Sequence, residues 1–194
     1  MHHIYHTNAL ILASRTKGEA NKSFTLYTRE LGLVRATAQG IRHLRSRLRY
    51  VLQDYSFAKI DLVRGKDIWR VTSASGSEPF TSLRADHDSF VVMHNMFRLI
   101  ERLCDGEEAN TEIFDDVLSA CQFLNRADVE AKEREITELC LVFRTLHHLG
   151  YIGTPEAFGH ILYGSFDTNA FTQTELPKKS ILFEINRAIR ESQM

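Results

Sequence analysis

Five short stretches of strand character, set apart by turn signals, occupy about the first 75 residues of the chain. Tyr5 to Ala13 holds the apolar run Ala9-Leu10-Ile11-Leu12-Ala13, suited to a buried strand. Ser14 to Lys22 is polar and contains Gly18, which predicts a loop. Ser23 to Thr28 alternates, with Phe24 and Leu26 facing one way and Tyr27 the other, and Arg29 to Gly32 turns the chain. Leu33 to Gln39 alternates again. Val34, Ala36 and Ala38 share one face, while Arg35, Thr37 and Gln39 share the other, the pattern of an antiparallel strand with one wet side. Tyr55 to Arg64 and Ile68 to Ala74 are the fourth and fifth strands, joined by the turn Gly65-Lys66-Asp67. Strands so short, so regularly interrupted, fit a small closed barrel.

Between the third and fourth strands, where a loop or short helix projects beside such a barrel, lies Gly40-Ile41-Arg42-His43-Leu44-Arg45-Ser46-Arg47-Leu48-Arg49-Tyr50. Arg42, Arg45, Arg47 and Arg49 stay charged at any working pH and grip phosphate with two prongs, so their density points to a polyanion. A charge run is also met as a merely solvated face, and the setting decides between the two. The formal net charge is −1, yet Met1 to Phe80 holds 13 Lys+Arg against 6 Asp+Glu, leaving 11 against 19 for the remainder. The basic front has the field to attract nucleic acid. A five-stranded barrel that binds nucleic acid is most economically an OB-fold, which holds single strands with a basic groove and aromatic faces. Tyr27, Tyr50, Tyr55 and Trp69 are the stacking candidates, although Trp69 and Phe57 also suit the core. Lys17, Lys22 and Arg35 are candidates to extend the basic patch.

From Thr81 onward the pattern turns helical. Apolar residues recur with helical period over Leu83–Cys104, Thr111–Leu124, Asp128–Leu149 and Lys178–Ser192, which predicts a small bundle. The expected architecture is therefore α+β: a five-stranded OB-fold barrel over residues 1–80 and an α-helical domain over 81–194. Cys104, Cys121 and Cys140 are odd in number and lie in apolar helical patterns, which fits buried thiols in a reducing compartment. No signal-like start and no membrane-length apolar run appears, so a cytoplasmic, soluble protein with no membrane partner is expected. His2-His3-x-x-His6 and the pair His147-His148 do not make a metal site, the second because neighbouring side chains diverge on a helix. No phosphate loop, nucleophile elbow or His-Glu-x-x-His is present, so a binding protein is expected and not an enzyme, with no cofactor. An RNA-binding OB module and a non-catalytic adaptor for an acidic protein also fit these residues.

The order of Glu19, the strand Ser23–Thr28, Thr28-Arg29-Glu30-x-Gly32, and Gly40-x-Arg42-x-x-x-Ser46-Arg47-Leu48-Arg49-x-x-Leu52-Gln53 resembles the N-terminal barrel of the RecO family. The resemblance is good over Leu10 to Ala74 and weaker beyond, although a helical domain straight after the barrel also matches that family's architecture. It implies a recombination mediator in DNA repair that binds single- and double-stranded DNA and anneals complementary strands. It also implies help in loading RecA onto DNA coated by single-strand binding protein, with RecR and the single-strand binding protein as partners. Many members carry paired Cys-x-x-Cys motifs for zinc after the Leu-Gly that closes the third long helix. This chain has Leu149-Gly150-Tyr151-Ile152-Gly153-Thr154-Pro155 and no Cys-x-x-Cys, so no zinc ribbon is expected, and a short 150–177 connection takes its place.

Overall fold

The computed structural model describes residues 3–66, 68–104, 106–153, 158–166 and 178–191. It divides into two compact units: Met1–Thr81 with Phe97–Phe114, and Ser82–Met96 with Asp115–Met194. The first unit is built on β1 (Ile4–Lys17), β2 (Asn21–Thr28), β3 (Gly32–Ala38), β4 (Ser56–Arg64) and β5 (Trp69–Glu78), with the single-turn helix α1 (Leu48–Val51) between β3 and β4. The strands close into a barrel in the order β1-β2-β3-β5-β4. All neighbours are antiparallel except β3 and β5, which pair in parallel through Ala36–Trp69, Thr37–Arg70 and Ala38–Val71. Five strands closed in this order form an OB-fold.

Alternation fills the barrel. Phe24, Leu26, Val34, Ala36, Ala38, Ile60, Leu62 and Trp69 pack in one buried cluster, joined by Ile41 and Leu52 from either side of the arginine loop. Every other residue of β2 and β3 thus points inward, and a one-residue slip would turn this set to solvent. The expected loop over Ser14–Lys22 is mostly strand. β1 runs on to Lys17 and pairs with β2 down to Lys17–Asn21, past an irregularity between Ile11 and Ala13. Cross-strand hydrogen bonds and the bend at that irregularity win over the polar composition. Gly18, at φ +67°, makes the sharp reversal. β5 likewise extends beyond Ala74 to Glu78.

The segment Phe97–Phe114 lies on this barrel. Leu33 N–H donates to Gly106 O at 3.1 Å, and the Tyr27 hydroxyl donates to Asn110 O at 3.4 Å. Gly32 allows the approach: at φ +68°, a Cβ there would stand 2.3 Å from Glu108 O. Gly32→Ala is expected to cost at least about 2 kcal/mol, from left-handed strain plus the backbone clash, and a denaturant titration against wild type checks it.

After the barrel strands, α2 (Thr81–Ala85) and α3 (His87–Leu103) replace the single helix expected from Leu83, and the part of α3 from Phe97 belongs to the first unit. The break falls at Asp86, whose carboxylate accepts from Ser89 N–H at 3.0 Å and starts α3 afresh. The same hydrogen bonds from Ser89, with Arg134 nearby, hold the Asp86 carboxyl below its usual range. α4 (Thr111–Leu124) follows, then α5 (Ala131–His148), α6 (Gly159–Tyr163) and α7 (Lys178–Glu191). α5 starts three residues later than its periodicity predicts, because Asp128 is left-handed at φ 60° and Glu130 and Glu133 form a reciprocal capping box. Cys121 and Cys140 are buried, Cys104 is half-buried and all three are free thiols; burial pushes the Cys140 thiol up to about 11. Much of the expected 150–177 connection, residues 154–157 and 167–177, lies outside the described residues. No helix among the described residues is long and apolar enough to cross a membrane.

Candidate nucleic-acid interface

The stretch after β3 is neither extended nor a full helix. Successive turns, His43 N–H to Gly40 O at 3.1 Å and Ser46 N–H to His43 O at 3.0 Å, lead into α1. This winding sits over Ile41 and Leu52, which are buried in the barrel core, so the arginines between these two anchors are held outward. Arg42, Arg45, Arg47 and Arg49 are all exposed. Ion pairs elsewhere use Arg29, Arg64, Arg134, Arg144 and Arg187, whereas among the described residues none of the four loop arginines is paired with an acid.

The four are not equivalent. Arg42 donates from Nη1 to Glu19 O at 2.8 Å and Gly18 O at 3.2 Å, and its N–H bonds Ala20 O at 3.0 Å. It therefore clamps the β1–β2 turn to the arginine loop, helped by the Asn21 amide oxygen, which accepts from Gly40 N–H at 2.9 Å. Arg42 and Arg49 line a cleft of ≈ 230 Å³ with Lys22, Ile41 and Leu52. Lys22 Nζ donates to Ser14 Oγ at 3.2 Å, which holds the ammonium beside the cleft. Arg45 and Arg47 lie outside it, on the exposed rim of the loop.

A second cleft, of ≈ 450 Å³, opens where the β1–β2 turn, the end of β3 and the β4–β5 turn meet. Lys17, Asn21, Thr37, Gln39, Arg64 and Arg70 line it with Gly65, Ile68 and Trp69. Asn21 and Gln39, which border this cleft, are close in sequence to Lys22 and Ile41, which border the first. Arg64 and Arg70 were missed by sequence reasoning. Each stands alone in an ordinary turn or strand, and the only sequence signal was the charge surplus of the front half. Arg35 is exposed on the same face of β3 as Thr37 and Gln39 but lines neither cleft. Thr37 itself departs from its expected wet face: it is 8% exposed, and its Oγ1 has no hydrogen-bond partner among the described residues.

Of the four aromatic candidates, Tyr50 alone offers an open ring, at 64% exposure, with the Arg49 guanidinium 5.6 Å from its centroid. Tyr27 has to be corrected. Its face opposite Phe24 and Leu26 is covered by the Phe97–Phe114 segment, leaving it 1% exposed and 5.9 Å from the Phe114 ring. Burial, with Cys104 beside it, pushes its hydroxyl well above the usual tyrosine range. Trp69 is core at 3% exposure, edge-on to Tyr5, and Tyr55 is half-buried and stacks on Phe97 at 5.9 Å. No group of three or more His, Cys, Asp or Glu among the described residues is placed to hold a metal ion.

Residues 1–80 match the family model described as Recombination protein O N terminal. The DNA repair protein RecO of Heliobacterium modesticaldum is 32% identical over 148 residues, 76% of this chain and 52% of that protein. The DNA repair protein RecO of Desulfitobacterium hafniense (strain DSM 10664 / DCB-2) is 30% identical over the same length and shares. That of Pelotomaculum thermopropionicum is 30% identical over 170 residues, 84% of this chain and 66% of its own. The chain spans about half the length of the first of these curated relatives and two thirds of the last. The matched N-terminal model, the OB-fold barrel with its exposed arginine loop, and the reach of the relatives into the helical part agree: the chain belongs to the RecO family of DNA repair proteins.

Proposed function

We propose that the chain is a recombination mediator that works by binding and not by catalysis. It holds single- and double-stranded DNA on the barrel, brings complementary strands together and assists RecA onto DNA coated by single-strand binding protein. RecR and the single-strand binding protein are its partners in this reading. The observation that carries it is the row of exposed guanidiniums at Arg45, Arg47 and Arg49, with no ion pair among the described residues, on a barrel that carries two basic clefts. Cations that neutralise phosphate release condensed counterions, which drives binding, and they screen one strand from another so that two can approach.

The test is a strand-pairing assay with two complementary oligonucleotides, each coated with single-strand binding protein. Pairing faster than the uncatalysed rate is expected on adding the chain. No acceleration by a chain that binds each oligonucleotide would overturn the mediator role, and stronger competition by matched RNA than by DNA would favour an RNA-binding module instead. Tyr50→Ala is expected to weaken single-strand binding on the order of tenfold through lost base stacking. Tyr27→Phe, which alters a covered ring, should leave it unchanged. Fluorescence anisotropy with a labelled oligonucleotide reads both.

A further inference from the structure

One carboxylate already engages two of the residues that line the second cleft. Arg64 Nη1 donates to Glu107 Oε2 at 2.7 Å, and Trp69 Nε1 donates to Glu107 Oε1 at 2.8 Å. The guanidinium also lies 5.3 Å from the centroid of the Trp69 ring, so the two donors are fixed relative to each other. Two donors converging on two oxygens of one anion is the arrangement that the non-bridging oxygens of a phosphodiester accept. Arg64 and Trp69 line the cleft together with Lys17 and Arg70, neither of which has an ion pair among the described residues. Thr37, also lining it, keeps a hydroxyl oxygen with no partner among the described residues.

The ion pair is open to exchange. The Arg64 and Glu107 side chains are 62% and 39% exposed, and pairs so screened hold weakly. We propose that this corner is a second phosphate subsite, in which Glu107 is the resident competitor: a strand phosphate takes the carboxylate's place on Arg64 and Trp69. This rests on the nucleic-acid reading above and deepens it by naming an acid that tunes the affinity. Glu107 sets how much of the Arg64 charge the strand receives, so its neutralisation tightens binding.

Trp69 is the only tryptophan in the chain, so its indole N–H resonance reports on the corner without any substitution. Titrating the full chain with a single-stranded oligonucleotide should shift that resonance in step with the anisotropy binding curve. In parallel, Glu107→Gln should bind about five times more tightly, with a log affinity against log salt slope steeper by about 0.7, and Arg64→Ala should abolish the gain. Melting curves show whether the variants fold, and Glu107→Ala repeats the test with no amide left to bond. An indole signal that stays still while the strand saturates the protein would overturn the subsite alone, as would Glu107→Gln binding no tighter than wild type. A wild-type chain that binds no nucleic acid would overturn both this inference and the reading beneath it.

Discussion

Replacing Arg45, Arg47 and Arg49 together by alanine lowers affinity for a single-stranded oligonucleotide on the order of 100-fold at low salt, and flattens the salt slope by about 2. All three side chains are exposed and none is ion-paired among the described residues, so the fold does not depend on them and the melting curve stays in place. Arg42 is left out on purpose. Its bonds to Gly18 O and Glu19 O hold the β1–β2 turn, and removing it would move the cleft as well as the charge. Arg49 contributes in two ways, as a cation lining the first cleft and as the group resting over the open ring of Tyr50. A salt series read by anisotropy separates the two, because lost stacking weakens binding at every ionic strength while lost charge changes the slope.

Arg144→Ala destabilises the helical unit by about 3–5 kcal/mol, the usual cost of stripping a buried charge from its partners. Arg144 is 5% exposed in α5 and spends its donors on three acceptors. Nε donates to Ile161 O at 2.6 Å, Nη1 to Asp116 Oδ1 at 2.8 Å and Nη2 to Gly164 O at 2.5 Å, with the Phe166 ring 4.4 Å away. One guanidinium thus ties α4, α5 and the α6 segment together. Its loss takes a charged donor from each of two carbonyls and leaves Asp116 with only His148, at 3.2 Å, among the described residues. Calorimetry should show a melting transition lower by about 10 °C. Oligonucleotide binding at low temperature should persist, since the arginine loop belongs to the other unit.

Periodicity made the barrel legible. Phe24 and Leu26 against Tyr27, and Val34, Ala36 and Ala38 against Arg35, gave strands and inward faces that the pairing of β2 with β3 reproduces. Local pattern reports which residues share a face, but not what later chain covers it. Tyr27 was therefore read as open, when Asn110 and Phe114, more than eighty residues on, close over it. The same limit hid Thr37, whose polar face proved buried. The arginine loop announced itself because its charge is dense, and none of its four arginines is ion-paired among the described residues. Arg64 and Arg70 are single cations in unremarkable contexts, and only the convergence of two turns and β3 gathers them into a cleft. Ser14 to Lys17 was lost to composition: polar residues at a barrel rim look like a loop until cross-strand pairing is counted. The short helix α6 carries too few residues to show a period.

The arginine loop's grip on sugar-phosphate is the claim on which the rest stands, and the salt dependence of the intact chain measures it most directly. Affinity for a labelled single-stranded oligonucleotide, determined from low to physiological salt, should fall with a slope of about −3 to −5, corresponding to several phosphates neutralised at once. A slope near zero, or no binding even at the lowest salt, would contradict the account.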